Sequence, residues 1–218
     1  MKIIAALLFL LLATITVCAA QAPVPDSTSQ AQKDSVKHAK ALADSLKWEK
    51  LFAVAQYPYV KGSKWSGVIP VADPTWTPEL TQDYKLLFEV SEQNPDSTSK
   101  DISLSLDEIA RILNLHYASG IPSKKIIPVV ILHGPGLDAV LTNERYKKQH
   151  SVDNPNIKLV HDLMEVGTKF IVCGQALAYK GLTRDDVLPE MKVTLTAQTV
   201  LSSYQLQGYV LYPLKVNE

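Results

Sequence analysis

The stretch IIPVVILHG (residues 126–134) decides how the rest of the chain is read. It is an almost unbroken aliphatic run, preceded by Lys124 and Lys125 and followed by the turn Gly134-Pro135-Gly136. A strand with no polar alternation is one covered on both faces, which is the signature of a parallel sheet between helices. On its N-terminal side, YKLLFEV (84–90) is a second strand, followed by a polar loop at 92–102. A helix is predicted from about 106 to 119, with Ser105 and Glu108 as a capping box and Gly120 as its stop. Ile109, Ile112 and Leu113 give it a buried face.

On the C-terminal side the alternation continues. A helical stretch at about 136–148 is followed by a helix from Pro155 to about 166, with Ile157, Val160, Leu163 and Met164 inward and Gly167 as the stop. KFIVCG (169–174) is the next strand, then a short helix at 175–180 ending at Gly181. Thr183 and Asp186 open a turn. KVTLTA (192–197) is a strand, 198–207 a helix, and GYVLYPL (208–214) the last strand. Apolar strands alternating with helices predict an α/β fold with a mainly parallel five-stranded sheet and helices on both faces. Five strands in about 130 residues make one domain of roughly flavodoxin size.

The N-terminal part has a different character. Residues 1–20 read as a secretory signal peptide, with Lys2, an apolar core from Ile3 to Val17, and small residues before Gln21. The run is short for a spanning helix. Lipidation at Cys18 is the weaker alternative, because Val17 is bulkier than such a site prefers. Residues 21–33 form a polar tether. Val36, Ala39, Leu42, Ala43 and Leu46 then mark an amphipathic helix over 34–52. Residues 21–56 are therefore read as tether and helix, and 57–218 as the domain with an N-terminal arm. In that arm Pro58, Pro70, Pro74 and Pro78 argue against regular structure, while Tyr57, Tyr59, Trp65 and Trp76 argue for packing.

Charge excludes one class of function. The chain carries 22 basic and 22 acidic residues with no basic stripe, so no nucleic-acid partner is expected. No second apolar run follows the leader, so no membrane span is expected after its removal. The predicted compartment is the periplasm or the exterior.

Removal of the leader leaves Cys173 as the one cysteine, with no internal disulfide. Cys173 and His133 both fall at the C-terminal ends of predicted strands, where open parallel sheets bind ligands. A thiol at a helix start is biased toward thiolate, the nucleophilic form. The competing readings are a small buried apolar residue for Cys173 and a turn-bonding residue for His133. The HGPG turn has the wrong spacing for a phosphate loop. His161 reads as structural, His116 and Tyr117 as the end of a helix, and His38 and His150 as polar surroundings. One Cys among scattered His is not a zinc pattern, and no metal or cofactor is expected. Ser202-Ser203 lacks the setting of a nucleophile, Asp185-Asp186 reads as a cap, and Asn143 and Glu144 are weak candidates for the same sheet edge.

Several segments together resemble the DsrE/DsrF-like family of sulfur-relay proteins. They are VVILHGPG (129–136), NPNIKLVHDLMEVGTKFIVCGQAL (154–177), GLTRDDVLPEMKV (181–193) and LQGYVLY (206–212). YPYVKG (57–62) and VIPVADP (68–74) are similar to the start of secreted members. The resemblance implies a three-layer α/β/α sandwich that assembles into trimers or hexamers. It also implies a cysteine that carries sulfur as a persulfide, and Cys173 is the residue to inherit that role. A sulfur-donor or acceptor protein would then be a partner. The leader, the added helix and the arm depart from cytoplasmic members. The expected function is therefore sulfur or thiol handling in the periplasm. A non-catalytic binding module of the cell envelope is the alternative, and recruitment of a partner by helix 34–52 is a third reading.

Overall fold

The computed structural model describes residues 30–214, in two units that divide after Ser45. The predicted leader and most of the tether lie outside the described residues. Helix α1 (Gln30–Val54) runs through the division and extends beyond the predicted 34–52 at both ends. In the first unit Val36 and Leu42 of its apolar stripe are exposed.

The second unit is built on a five-stranded, wholly parallel sheet in the order β4-β3-β2-β1-β5. The strands are β1 (Tyr84–Val90), β2 (Ile126–Leu132), β3 (Lys169–Cys173), β4 (Lys192–Thr194) and β5 (Val210–Leu214). The helices are α2 (Leu104–Ala118), α3 (Asn143–His150), α4 (Ile157–Glu165), α5 (Gly174–Tyr179) and α6 (Ala197–Leu206). The core is the aliphatic set predicted from the central strands, with Leu87, Phe88, Val129, Val130, Ile131, Leu132 and Val172 fully enclosed. α2 packs on β2 and α4, while α6 packs on β1, β2 and β5. Right-handed crossovers explain the division. The chain steps one way from β1 to β4, then α6 carries it back across the sheet on the other face.

Four predictions need correction. The predicted helix at 136–148 is a 3₁₀ run over Gly134–Val140, an extended residue at Leu141, and then α3. Thr142 starts α3 anew, its hydroxyl accepting the Arg145 N–H. The capping box at Ser105 and Glu108 does not form. Ser103 is the cap, its hydroxyl accepting the Leu106 N–H, and Glu108 instead makes a two-point bond to Arg111. Ser105 is buried, and its hydroxyl lacks a partner. α4 begins at Ile157, past Pro155, because Asn156 is held by Asn154 and the Ser103 N–H. β4 stops at Thr194, since Thr196 leaves the strand to cap α6 through the Gln198 N–H.

The proline-rich arm is fastened to α2 by polar groups. Asn114 uses its whole amide. Its oxygen accepts the N–H groups of Tyr59 and Val60, and its nitrogen donates to the carbonyls of Val60 and Ser66. Asp107 accepts both the N–H and the hydroxyl of Ser63, each at 2.6 Å. Tyr59 stacks on Tyr117 and donates to the Val166 carbonyl. Trp65, Trp48 and Phe52 pack ring on ring.

Candidate functional site

The site lies at the carboxyl edge of the sheet, between β3 and β4. At that point the connection leaving β3 returns on one face and the connection leaving β4 crosses to the other. A reversal of this kind opens a crevice beyond the strand ends. The crevice is a cleft of about 440 Å³ lined by His133, Pro135, Cys173, Tyr179, Lys180 and Ala197, among others.

The two predicted site residues are thus brought into one cleft. β2 and β3 are neighbours, so His133 follows the end of one strand and Cys173 ends the next. The turn after β3 needs Gly174, because a Cβ there would stand 2.7 Å from the Thr194 carbonyl oxygen. The turn after β2 needs Gly136, where a Cβ would lie 2.4 Å from the Val90 carbonyl oxygen. These two glycines let the chain ends crowd together around the cleft.

Cys173 is a free thiol and retains 5% of its surface, so it is deeper than a rim position. Its sulfur accepts the N–H of Ala197 at 3.3 Å. The donor is the first residue of α6, so the helix whose N-terminus meets the sulfur is α6, where the sequence pointed to α5. The amide is one of the unpaired N–H groups at the start of a ten-residue helix, so the sulfur fills an acceptor position that the helix itself leaves open. His133 is a quarter exposed, and its Nε2 lies 3.0 Å from Glu89 Oε1. Glu89 belongs to β1. It went unnoticed in the sequence, although a single carboxylate in the apolar run YKLLFEV was a signal that could have been read.

Two more residues were missed. Lys180 lines the cleft and donates to Asp138 Oδ1 at 2.8 Å. Asp138 is almost completely buried, and its other oxygen accepts from Gln149 Nε2 at 2.6 Å and faces His150 Nε2 at 3.1 Å. His150, read as lying in polar surroundings, is partly buried with its side chain turned to Asp138.

The weaker candidates fall elsewhere. His161 is half exposed beside Glu190, so it is a surface residue and not a core one. His116 bonds the Ile112 carbonyl and Tyr117 holds the arm. Asn143 accepts the Asn154 N–H, and Glu144 is exposed. Ser202 bonds within its own helix. Asp186 caps its turn through the Thr183 N–H and hydroxyl, as expected of the Asp185-Asp186 pair. Those two bonds, the backbone one first, hold its carboxyl below the usual aspartate range.

Among the described residues no cluster of His, Cys, Asp and Glu is arranged to hold a metal, and no helix is long and apolar enough to cross a membrane. No curated protein matches the chain. A solved structure of a protein of unknown function, MTH1491 from Methanobacterium thermoautotrophicum, is similar over 61% of this chain and all of its own, at 18% identity and a TM-score of 0.45. The model of the DsrE/DsrF-like family matches residues 85–213, more than half of the chain, which takes in every strand but the first residue of β1 and the last of β5. The chain belongs to the DsrE/DsrF-like family.

Proposed function

We propose that the β3–β4 cleft is a sulfur-handling site in which Cys173 accepts a sulfane sulfur. The observation that supports this most is the Ala197 N–H on the sulfur, at the start of a helix and at the wall of a cleft. A donor arriving there meets a sulfur already held in place by a backbone N–H. Thiolate Sγ attacks a sulfane sulfur of a polysulfide. An Sγ–S bond forms as an S–S bond of the donor breaks, and the shortened polysulfide leaves with the electron pair. A thiolate of an acceptor then attacks the outer sulfur and Cys173 leaves as thiolate, so no outside oxidant is consumed.

His133 is the proton partner in this reading. The Glu89 carboxylate engages Nε2 and fixes the ring. That leaves Nδ1 for exchange with the cleft. The protein would work after export, as a homo-oligomer facing a sulfur-donor or acceptor protein. Light scattering and the mass of the protein recovered from the cell envelope check those two points.

The test is intact mass after treatment with polysulfide, in the full chain with Cys18→Ala so that Cys173 is the only thiol. Gains of one or more sulfur atoms, reversed by reductant and absent in Cys173→Ser, are expected. An unchanged mass removes the proposal. The second reading, a binding module with a passive thiol, is favoured by the 5% exposure of Cys173, and an unreactive sulfur would select it.

A further inference from the structure

We propose that this cleft selects anionic ligands and that Lys180 is the residue that does so, held there by Asp138. The inference rests on the sulfur-handling reading and deepens it. It makes the donor a small sulfur anion, of the polysulfide type, in preference to a neutral or cationic disulfide.

Lys180 is the one fixed charge among the described residues lining the cleft, and none of them is a carboxylate. Its ammonium has three protons, and Asp138 takes one of them at 2.8 Å. The pair is asymmetric. The carboxylate is only 5% exposed, whereas the lysine side chain is 29% exposed. The negative partner is thus enclosed, and the positive one is the more open of the two and belongs to a residue of the cleft wall. Asp138 cannot follow the lysine outward, because Gln149 and His150 hold its second oxygen. The α6 N-terminus adds partial positive charge at the sulfur from the other wall. Stability alone is a poor reason for the pair, since apolar residues of like volume often replace a buried ion pair at no loss. An incoming anion therefore finds a placed cation in the lining of the same cleft as the nucleophile, and a cation meets repulsion from the same group.

The experiment measures how fast Cys173 reacts with three methanethiosulfonates, carrying sulfonatoethyl, methyl and trimethylammonioethyl groups. Each transfers its thioalkyl group to Sγ as methanesulfinate leaves. The full chain with Cys18→Ala is used, and every rate is divided by that of a free small thiol. The anionic reagent is expected to outrun the cationic one by about tenfold at low salt, the scale of one charge at a partly exposed site. The ratio should fall toward one in high salt. It should also fall in Lys180→Met/Asp138→Asn, which removes the pair together and strands no buried charge. Lys180→Arg should keep it.

Parity in the unsubstituted cleft, or a ratio that survives the double substitution, overturns the inference. Should the double variant not fold, Lys180→Gln, which keeps a donor for Asp138 but no charge, and the salt dependence decide it, and a preference blind to both overturns it. Anion preference without polysulfide uptake keeps this inference and ends the sulfur reading. Uptake without preference does the reverse. A thiol inert to all three reagents in the folded protein ends both.

Discussion

Two regions of this molecule bury polar groups, and they do so to opposite ends. At the junction of α2 and the arm, Asn114 and Asp107 meet only groups of the chain itself, and Asn114 has each amide position filled. At the β3–β4 edge, Lys180 has spare donors, His133 a spare nitrogen and Cys173 a cleft beside it. The Asn114 amide has nothing left to offer a ligand. The second arrangement keeps donors and a ring nitrogen in hand. Completeness of hydrogen bonding, more than burial, separates the Asn114 amide from the polar groups of the cleft.

The sharpest way to break this contrast is Asn114→Leu. It strands two N–H groups and two carbonyls, and a loss of about 3 kcal/mol in urea unfolding is expected, with the arm becoming open to protease. The sulfur chemistry of any folded fraction should be unchanged. Gly174→Ala is expected to cost about 2 kcal/mol, because the new Cβ must push the turn away from β4. Unlike the first substitution it should also speed labelling of Cys173, since the Ala197 amide is drawn off the sulfur. Cys173→Ser should change stability by no more than about 1 kcal/mol while abolishing sulfur uptake, since a hydroxyl can still accept the Ala197 N–H.

The smallest effect is in pH, where Asp107 in the first region and Asp186, outside both, differ in sign. Burial, partly offset by the Ser63 hydrogen bonds, holds the Asp107 carboxyl above the usual range. The folded protein then binds its proton more tightly than the unfolded chain does. Its contribution to stability is full at low pH and is lost as pH rises from the unfolded value of about 3.9 through the raised folded value. Asp186, beside the loop that follows β2, is depressed by its Thr183 bonds. Its contribution is present above about 3.9 and is lost as pH falls through the lower folded value. Chemical denaturation between pH 2.5 and 6 should show Asp107→Asn flattening the first trend and Asp186→Asn the second. An Asp107→Asn curve parallel to the parent's would show that the Ser63 bonds cancel burial, and a trend of opposite sign that they outweigh it.

How much of this could be read beforehand follows from the range of each interaction. IIPVVILHG and KFIVCG announce enclosed parallel strands through their own residues, so the layers, the sheet and the positions of His133 and Cys173 were legible. Strand order was not, and it is the order that puts those two residues in one cleft. The cap of α2 was misread because Ser103 and Ser105 are both good caps in isolation, and only burial of Ser105 decides between them. Lys180 and Asp138 are far apart in the chain, as are His133 and Glu89, and no local spacing relates either pair. Asp138, a charge among Leu137, Ala139 and Val140, was the one member with a visible anomaly.

The amide on the sulfur has a consequence for dynamics. β4 is three residues long and forms one rim of the sheet, and the donor sits just beyond it. Each time that short rim frays, Sγ loses its partner and gains solvent together. The labelling rate of Cys173 is therefore a clock for the opening of one margin of the protein, ticking faster wherever a bound neighbour, a second subunit or a substitution loosens it.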